Sequence, residues 1–233
     1  MILNENVTAI ILAAGSGTRM KLGITKQRIV IDEESVLRRT VRAFDFCDAI
    51  NSIIVVVRSD EMNFAKSELS DLEKVKKIVV GGENRVESAK IGFCAVGADC
   101  DFIAIHDGAR CFITDDMIKA VIRDAKMYGA ATASCSVTDT VKQVDKNGDI
   151  VSTVDRNTLV LVQTPQVFKT DLYKKALENN ELFDSAITDD NMLLERIGIR
   201  VHCTDTGKEN IKLTVKEDLK YAEYLVNGGK KGV

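Results

Sequence analysis

Two periodicities alternate along the chain. Short apolar runs rich in β-branched residues give way to stretches whose apolar positions recur every three or four residues. The runs predict strands at Val7–Leu12, Ser52–Val57, Lys77–Val80, Asp101–Ile105, Thr132–Val137, Leu159–Gln163 and Arg200–Cys203. Some, such as Ile53-Ile54-Val55-Val56-Val57, are unbroken, as suits strands covered on both faces. The other stretches predict helices. Met117, Ile118, Val121, Ile122 and Ala125 form one stripe, with Thr114 as cap, Asp115 and Asp116 at the positive end, and Gly129 as terminator. Val36, Leu37, Val41 and Phe44 form another behind Ser35. Thr214-Val215-Lys216-Glu217 reads as a capping box before a helix carrying Leu219, Ala222 and Leu225, with Gly228-Gly229 past its end. Strands separated by helices imply right-handed βαβ crossovers, hence an α/β fold with a mixed, mainly parallel sheet flanked by helices.

One region breaks this rhythm. Between Ser136 and Thr158, two short β-like pieces, Thr140–Val144 and Ile150–Val154, flank a turn containing Asn147-Gly148. That dipeptide is a hairpin signal, so a β-arm protruding from the core is expected at about 136–158. Asn210–Thr214 reads as a further strand with its polar residues on one side. No repeat or linker divides the 233 residues, which predicts one domain with its arm.

Composition narrows the picture. Apolar residues make up 45% and charged residues 29%, which is globular rather than disordered. The net charge of −3 speaks against a general nucleic-acid binder, so any anionic ligand needs a local cluster of Lys and Arg. The six cysteines form no Cys-x-x-Cys pair, and only His106 and His202 could join them at a metal. They read as small residues in a reducing compartment. The run Val7 to Ala14 has no basic leader and is far short of a membrane span. The expected location is cytoplasmic, with no membrane partner.

The first strand leads into Leu12-Ala13-Ala14-Gly15-Ser16-Gly17-Thr18-Arg19-Met20. Its small residues let backbone N–H groups approach an anion, and Arg19 adds a charge. No Gly-Lys-Ser/Thr follows, so this is not a Walker loop. Met20 stands where a dinucleotide fingerprint needs its third Gly, although Glu33 and Glu34 sit near the spacing of a ribose-binding acid. Lys26 follows, and beside an anion nest it suits a triphosphate. Gly81-Gly82-Glu83-Asn84-Arg85-Val86-Glu87-Ser88 ends a strand and opens a helix, whose N-terminus favours an anion or a polar base edge. His106-Asp107-Gly108-Ala109-Arg110 ends another strand, where an Asp is placed to hold Mg²⁺ together with phosphate oxygens. Arg156, Thr164, Thr188 and Lys212 are functional only if the fold brings them together.

Taken in order, these segments resemble a known family. Ala-Ala-Gly-Ser-Gly-Thr-Arg-Met is similar to the signature loop of sugar- and polyol-phosphate nucleotidyltransferases. Gly81-Gly82 with Arg85 and Ser88, His106 to Arg110, Asp139-Thr140-Val141-Lys142, Val154-Asp155-Arg156, Gln163 to Phe168, Thr188-Asp189-Asp190 and Asn210 to Thr214 narrow it. The set, spanning roughly residues 7–226, resembles the 2-C-methyl-D-erythritol 4-phosphate cytidylyltransferases of non-mevalonate isoprenoid synthesis. The resemblance implies a Rossmann-like nucleotidyltransferase fold and a homodimer whose β-arm carries Thr140 and Arg156 into the partner's site. It implies that Ala13, Ala14, Gly15, Gly17, Arg19 and Lys26 hold the CTP phosphates. Gly82, Glu83 and Ser88 would meet cytosine and ribose. Asp107 would hold Mg²⁺ or Mn²⁺, and Lys212 would reach the reacting phosphates. Arg110, Thr140, Arg156, Thr164 and Thr188 would surround the acceptor.

Four positions depart from the family pattern. Thr25 and Cys111 stand where proline is usual, Gly108 where alanine is usual, and Glu209 where aspartate often precedes Asn210. The missing prolines leave both loops less restricted. The implied reaction is in-line attack of the acceptor phosphate on the α-phosphorus of CTP, with Arg19, Lys26 and Lys212 offsetting charge. A ribitol 5-phosphate or other polyol-phosphate cytidylyltransferase would share fold and chemistry. An NAD-dependent oxidoreductase and a non-catalytic CTP sensor are the other readings.

Overall fold

In a computed structural model, residues 5–15, 24–179 and 187–228 are described. The strands are β1 (Val7–Leu12), β2 (Val30–Ile31), β3 (Glu34–Ser35), β4 (Ser52–Val57), β5 (Val75–Val80), β6 (Phe102–Asp107), β7 (Ala130–Ser136), β8 (Val141–Val144), β9 (Ile150–Val154), β10 (Val160–Lys169) and β11 (His202–Asp205). The helices are α1 (Val36–Phe46), α2 (Met62–Glu68), α3 (Arg85–Cys94), α4 (Asp115–Tyr128), α5 (Thr170–Glu178), α6 (Asn191–Arg196) and α7 (Asp218–Val226). Among the described residues a seven-stranded sheet runs in the order β11-β7-β10-β6-β1-β4-β5. Only β10 is antiparallel to its neighbours, so the sheet is mixed and mainly parallel.

The unbroken apolar strands have two faces to fill. On one face Ala9 and Ile11 of β1 and Val55 and Val57 of β4 pack with Leu37, Val41 and Phe44 of α1 and with Ile118, Val121 and Ile122 of α4. On the other, Ile10, Val56, Ile103 and Ile105 pack with Tyr173, Ala176 and Leu177 of α5 and with Leu193 and Leu194 of α6. Successive residues of a strand point to opposite faces, so Ile10 and Ile11 serve different cores. The helix ends follow local chemistry. Ser35 and Thr114 accept from the N–H groups of Arg38 and Met117, and Gly129 ends α4 with φ +86°. Helix α3 lies so close to the sheet that a Cβ on Gly92 would meet Ile10 Cγ2 at 2.5 Å. Glycine at 92, in the last turn of α3, therefore lets that end of the helix pack closely on β1 and β4.

Several boundaries differ from expectation. Strand β6 runs on to Asp107, which places that carboxylate at the strand's last position. Strand β10 continues beyond Gln163 to Lys169, because a register shift between Val162 and Gln166 lets the ladder with β7 resume past Pro165. Asn210–Thr214 is not a strand. It joins no ladder, and side-chain and loop contacts hold it instead. Asn210 Nδ2 donates to Gln163 Oε1 at 3.0 Å and to the Thr164 carbonyl at 2.8 Å, and the Leu213 N–H donates to the Ala109 carbonyl. The capping box at Thr214 also fails. The Thr214 hydroxyl donates to the Lys212 carbonyl, and Asp218, not Glu217, accepts from the N–H groups of Thr214 and Val215. Helix α7 accordingly starts at Asp218.

The hairpin forms as the Asn147-Gly148 signal predicts, with β8 and β9 antiparallel and Gly148 at φ +91°. It makes a separate two-stranded sheet outside the seven-stranded one.

Candidate active site

The chain leaves β1 toward β4 and β5 on one side, then returns to β6 on the other. The winding therefore reverses between β1 and β6, and a crevice opens at their carboxyl ends. Ala13-Ala14-Gly15 follows β1 and Asp107 ends β6. The Gly108 N–H donates to the Leu12 carbonyl at 2.8 Å, and a Cβ on Gly108 would lie 3.1 Å from that carbonyl and from Ala13 Cβ. That hydrogen bond ties the two strand exits together, with little room left at position 108.

A cavity of about 500 Å³ occupies one side of the crevice. Ala14, Gly15, Lys26, Gly82, Glu83 and Ser88 line it, as do Arg58, Asn84 and Arg85. Ala13 lies beneath, its N–H committed to the Val56 carbonyl at 2.7 Å. Gly17 and Arg19 lie outside the described residues. The loop into α3 is fastened internally. The Gly82 N–H donates to Ser88 Oγ, the Glu83 N–H to Glu87 Oε2, and Asn84 caps the helix. A Cβ on Gly81 would meet Ala14 Cβ at 2.7 Å, so this turn can sit against the first loop only as glycine.

A second cavity of about 270 Å³ adjoins the first, with Arg110, Thr164, Gln166 and Thr188 in its wall. Among the described residues, Arg85, Asp107 and Lys212 line both cavities. Lys212 Nζ lies 2.8 Å from Asp107 Oδ2, Arg85 Nε 3.3 Å from Oδ1, and Arg110 Nε 3.8 Å from Oδ2. Burial opposes the charge on Asp107, but Arg85 and Lys212, helped by Arg110, overcome it and hold the carboxyl well below the usual carboxylate range. Burial likewise opposes the charge on Arg85, and Asp190 and Asp107 more than restore it. Arg110 is shifted down by burial.

Thr164 lines the second cavity, with its hydroxyl committed. It accepts from the Asp107 N–H at 3.0 Å and lies 3.0 Å from His106 Nδ1. Burial pushes His106 down to about 4, so the ring is neutral at pH 7 and braces the loop through the Arg110 carbonyl. The Thr188 hydroxyl donates to Met192 Sδ at 3.2 Å. Thr140 and Arg156 sit on the arm and line neither cavity of their own chain; Arg156 Nη1 donates to the Thr138 carbonyl at 2.5 Å.

Lys26 is 8% exposed, and its Nζ donates to the Leu213 carbonyl at 3.0 Å. Its flanks are clamped. The Thr25 hydroxyl and Arg28 Nε both donate to the buried Glu61, at 3.1 and 2.9 Å. A hydrogen bond from Thr25 restrains this loop. Glu209 is exposed and lines neither cavity.

Arg58, Tyr173 and the pair Arg85–Asp190 were assigned no role from the sequence. Arg85 and Asp190 stand in the Gly81–Ser88 and Thr188–Asp190 segments, whose local pattern does not reveal their partnership. Tyr173 reads as an ordinary helix core residue, and only the structure shows its hydroxyl 2.7 Å from Asp190 Oδ1.

Among the described residues the one cluster with three metal-capable side chains is Cys47, Asp48 and Asp115, away from the crevice. Its two carboxylates pair with Lys119, each at 2.8 Å.

Comparison with known proteins places this geometry. Residues 7–228 match the family model described as 2-C-methyl-D-erythritol 4-phosphate cytidylyltransferase. The chain is 39% identical over 234 residues to the protein of that name from Alkaliphilus oremlandii, covering 98% of this chain and 99% of that one. It is 40% identical over 228 residues to that from Caldanaerobacter subterraneus, covering 95% and 99%. Among solved structures, 4-diphosphocytidyl-2C-methyl-D-erythritol synthase from Anaerococcus prevotii superposes with a TM-score of 0.87 at 27% identity, covering 97% of this chain and all of that one.

Proposed function

Since this chain belongs to the 2-C-methyl-D-erythritol 4-phosphate cytidylyltransferase family, we propose that its two adjoining cavities take that reaction's two substrates, CTP in the larger and the polyol phosphate in the smaller. The enzyme is a nucleotidyltransferase of isoprenoid biosynthesis. It joins CTP and 2-C-methyl-D-erythritol 4-phosphate to give 4-diphosphocytidyl-2-C-methyl-D-erythritol and pyrophosphate. One observation carries the proposal: Arg85, Asp107 and Lys212 belong to the walls of both cavities. A shared wall is where two substrates react.

The acceptor phosphate is ionised at neutral pH, so one of its oxygens attacks the α-phosphorus without a general base. The bond to pyrophosphate breaks in line, and no protein nucleophile is required. The obstacle is an anion approaching a polyanion. Lys26 and Lys212, with Arg19 from the first loop, offset that charge, and the two cavities align the reactants. Gly15 and Ala14 give phosphates close access to backbone, and Gly82, Glu83 and Ser88 face the base and ribose. Arg110, Thr164 and Thr188 face the acceptor.

Asp107 suits Mg²⁺ or Mn²⁺: it is an ionised oxygen donor, and Mg²⁺ commonly uses one or two carboxylates with substrate phosphates. When bound, such an ion neutralises phosphate charge.

The chain is a single domain whose arm, at about 136–158, serves a homodimer. Supporting this, Val144, Ile150 and Val151 on the arm and Val160 and Leu161 at its base are exposed apolar side chains. In the dimer, Thr140 and Arg156 complete the partner's acceptor site. The chain works in the cytoplasm. No helix of the described residues is long and apolar enough to cross a membrane, and the six cysteines are thiols.

Pyrophosphate release with CTP, ATP, GTP and UTP, against methylerythritol phosphate and ribitol 5-phosphate separately, tests the assignment. CTP with methylerythritol phosphate is the expected productive pair. Equal turnover with ribitol 5-phosphate would overturn the acceptor assignment.

A further inference from the structure

Of the three residues at the shared wall, Arg85 has no role in the chemistry described above. Its guanidinium is gripped from two sides. Nη1 lies 2.5 Å from Asp190 Oδ2, and Nε lies 3.3 Å from Asp107 Oδ1. Asp190 is 1% exposed, and its second oxygen accepts from the hydroxyl of Tyr173, itself fully buried. The Asp190 N–H donates to Gln166 Oε1 at 3.0 Å. Tyr173 stacks on Phe168, with ring centroids 5.5 Å apart. A continuous path therefore runs from the packed core through Tyr173, Asp190 and Arg85 to Asp107.

Asp107 needs such a path. Lys212 holds only Oδ2, through a point charge on a flexible stem that leaves an irregular segment. A guanidinium is planar and offers donors at fixed angles, so it can hold two carboxylates in a set relation where an ammonium cannot. A buried carboxylate such as Asp190 is costly to charge unless paired, so its burial ties it to Arg85 rather than to solvent.

We infer that Arg85 is a positioning residue for the transfer reaction: it fixes the Asp107 carboxylate between the two substrate cavities, and Asp190 with Tyr173 fixes Arg85. The inference rests on the assignment of those cavities to CTP and the polyol phosphate. Arg85 acts through Asp107, so its removal slows the chemical step rather than weakening CTP binding.

The test compares wild type, Arg85→Lys, Arg85→Gln, Tyr173→Phe and the double variant Arg85→Gln/Tyr173→Phe. Circular dichroism checks folding, calorimetry gives CTP affinity, and pyrophosphate release gives kcat and KM. Misplacing a reacting group by about 1 Å can cost roughly a hundredfold in rate. The expected kcat loss is thus about ten- to a hundredfold for Arg85→Gln and Arg85→Lys, with CTP affinity within about threefold of wild type. Lysine restores little, because charge without the fork is insufficient. Tyr173→Phe should lose less, and the double variant should be no slower than Arg85→Gln, since Tyr173 acts only through Arg85. A folded Arg85→Gln enzyme with wild-type kcat would overturn the inference. So would a loss confined to CTP affinity, or losses that multiply in the double variant. If Arg85→Gln does not fold, Arg85→Lys and its double with Tyr173→Phe decide by the same criteria. A silent wild type would instead defeat the cavity assignment.

Discussion

The ammonium of Lys26 donates to the backbone carbonyl of Leu213 at 3.0 Å. Leu213 is the next residue after Lys212, whose own ammonium lies 2.8 Å from Asp107. Two cations from opposite ends of the chain are thereby fixed relative to one another across the crevice. Removing one preorganised charge from a site where charge develops costs roughly 10²–10³ in rate, about 2.7–4 kcal/mol. Lys26→Ala and Lys212→Ala should each lower kcat by about that factor while the enzyme stays folded. Steady-state kinetics with circular dichroism measures both, and wild-type turnover in either variant would remove that lysine from the mechanism.

Glu61 makes a prediction that proline would not. It accepts from Thr25 and Arg28, the residues on either side of the Lys26-Gln27 pair. Glu61→Gln keeps the shape and removes the charge-assisted hold on Arg28. A hydrogen bond to a charged group is worth about 1.5–3 kcal/mol when well formed, and Arg28 is partly exposed, so about 1 kcal/mol is expected here. If the clamp preorders the Lys26 loop, CTP affinity should fall roughly fivefold, the equivalent of 1 kcal/mol. Calorimetric titration with CTP reads this directly, and unchanged affinity would mean that the loop is held by other contacts.

The strands were the most legible part of the chain, and the reason is burial. Strands β1 and β4 are covered on both faces, so their apolar runs start and stop where the strands do. The predicted strand ends at Gln163, two residues before Pro165, and only pairing with β7 across an irregularity shows that β10 resumes to Lys169. The segment Asn210–Thr214 alternates like a strand, yet its alternation serves side-chain anchoring: Asn210 and Leu213 are buried while Lys212 faces the cavities. Periodicity cannot tell those uses apart. At the crevice, the residue types around Asp107 and Lys26 mark them as candidates, and both line the larger cavity. The Arg85–Asp190–Tyr173 connection is not legible in this way, because it joins helices α3, α5 and the start of α6, and no local pattern records it.

His106 sets a pH dependence of stability. Burial lowers its folded value from 6.5 to about 4, so the native ring resists protonation while the unfolded chain accepts a proton near 6.5. A depressed folded value means the contribution is full above about 6.5 and is lost as pH falls toward 4. The difference of about 2.5 units corresponds to roughly 3 kcal/mol. The carboxyl of Asp107, also depressed, adds its loss only in stronger acid. Urea unfolding between pH 7 and pH 4 should show stability falling by about this amount, and His106→Gln should flatten the curve in that window. An equally steep curve in the variant would assign the acid sensitivity elsewhere.

The proposed dimer arm predicts that active sites are shared between subunits. Arg156 lines neither cavity of its own chain, whereas Lys26 is buried in one of them. If Arg156 serves the partner's site, Lys26→Ala and Arg156→Ala fall in different subunits of one site. Each homodimer is then defective at both sites. Mixing the two proteins and allowing subunit exchange produces heterodimers with one doubly defective site and one intact site. At complete statistical exchange half the dimers are mixed, so activity should rise from near zero to about a quarter of wild type, since charged contacts of this kind are worth about 10²–10³ in rate. Exchange is followed by fluorescence transfer between labelled subunits, so that a failure to mix is recognised. Complete exchange with no recovered activity would place Arg156 in its own subunit's chemistry or in none.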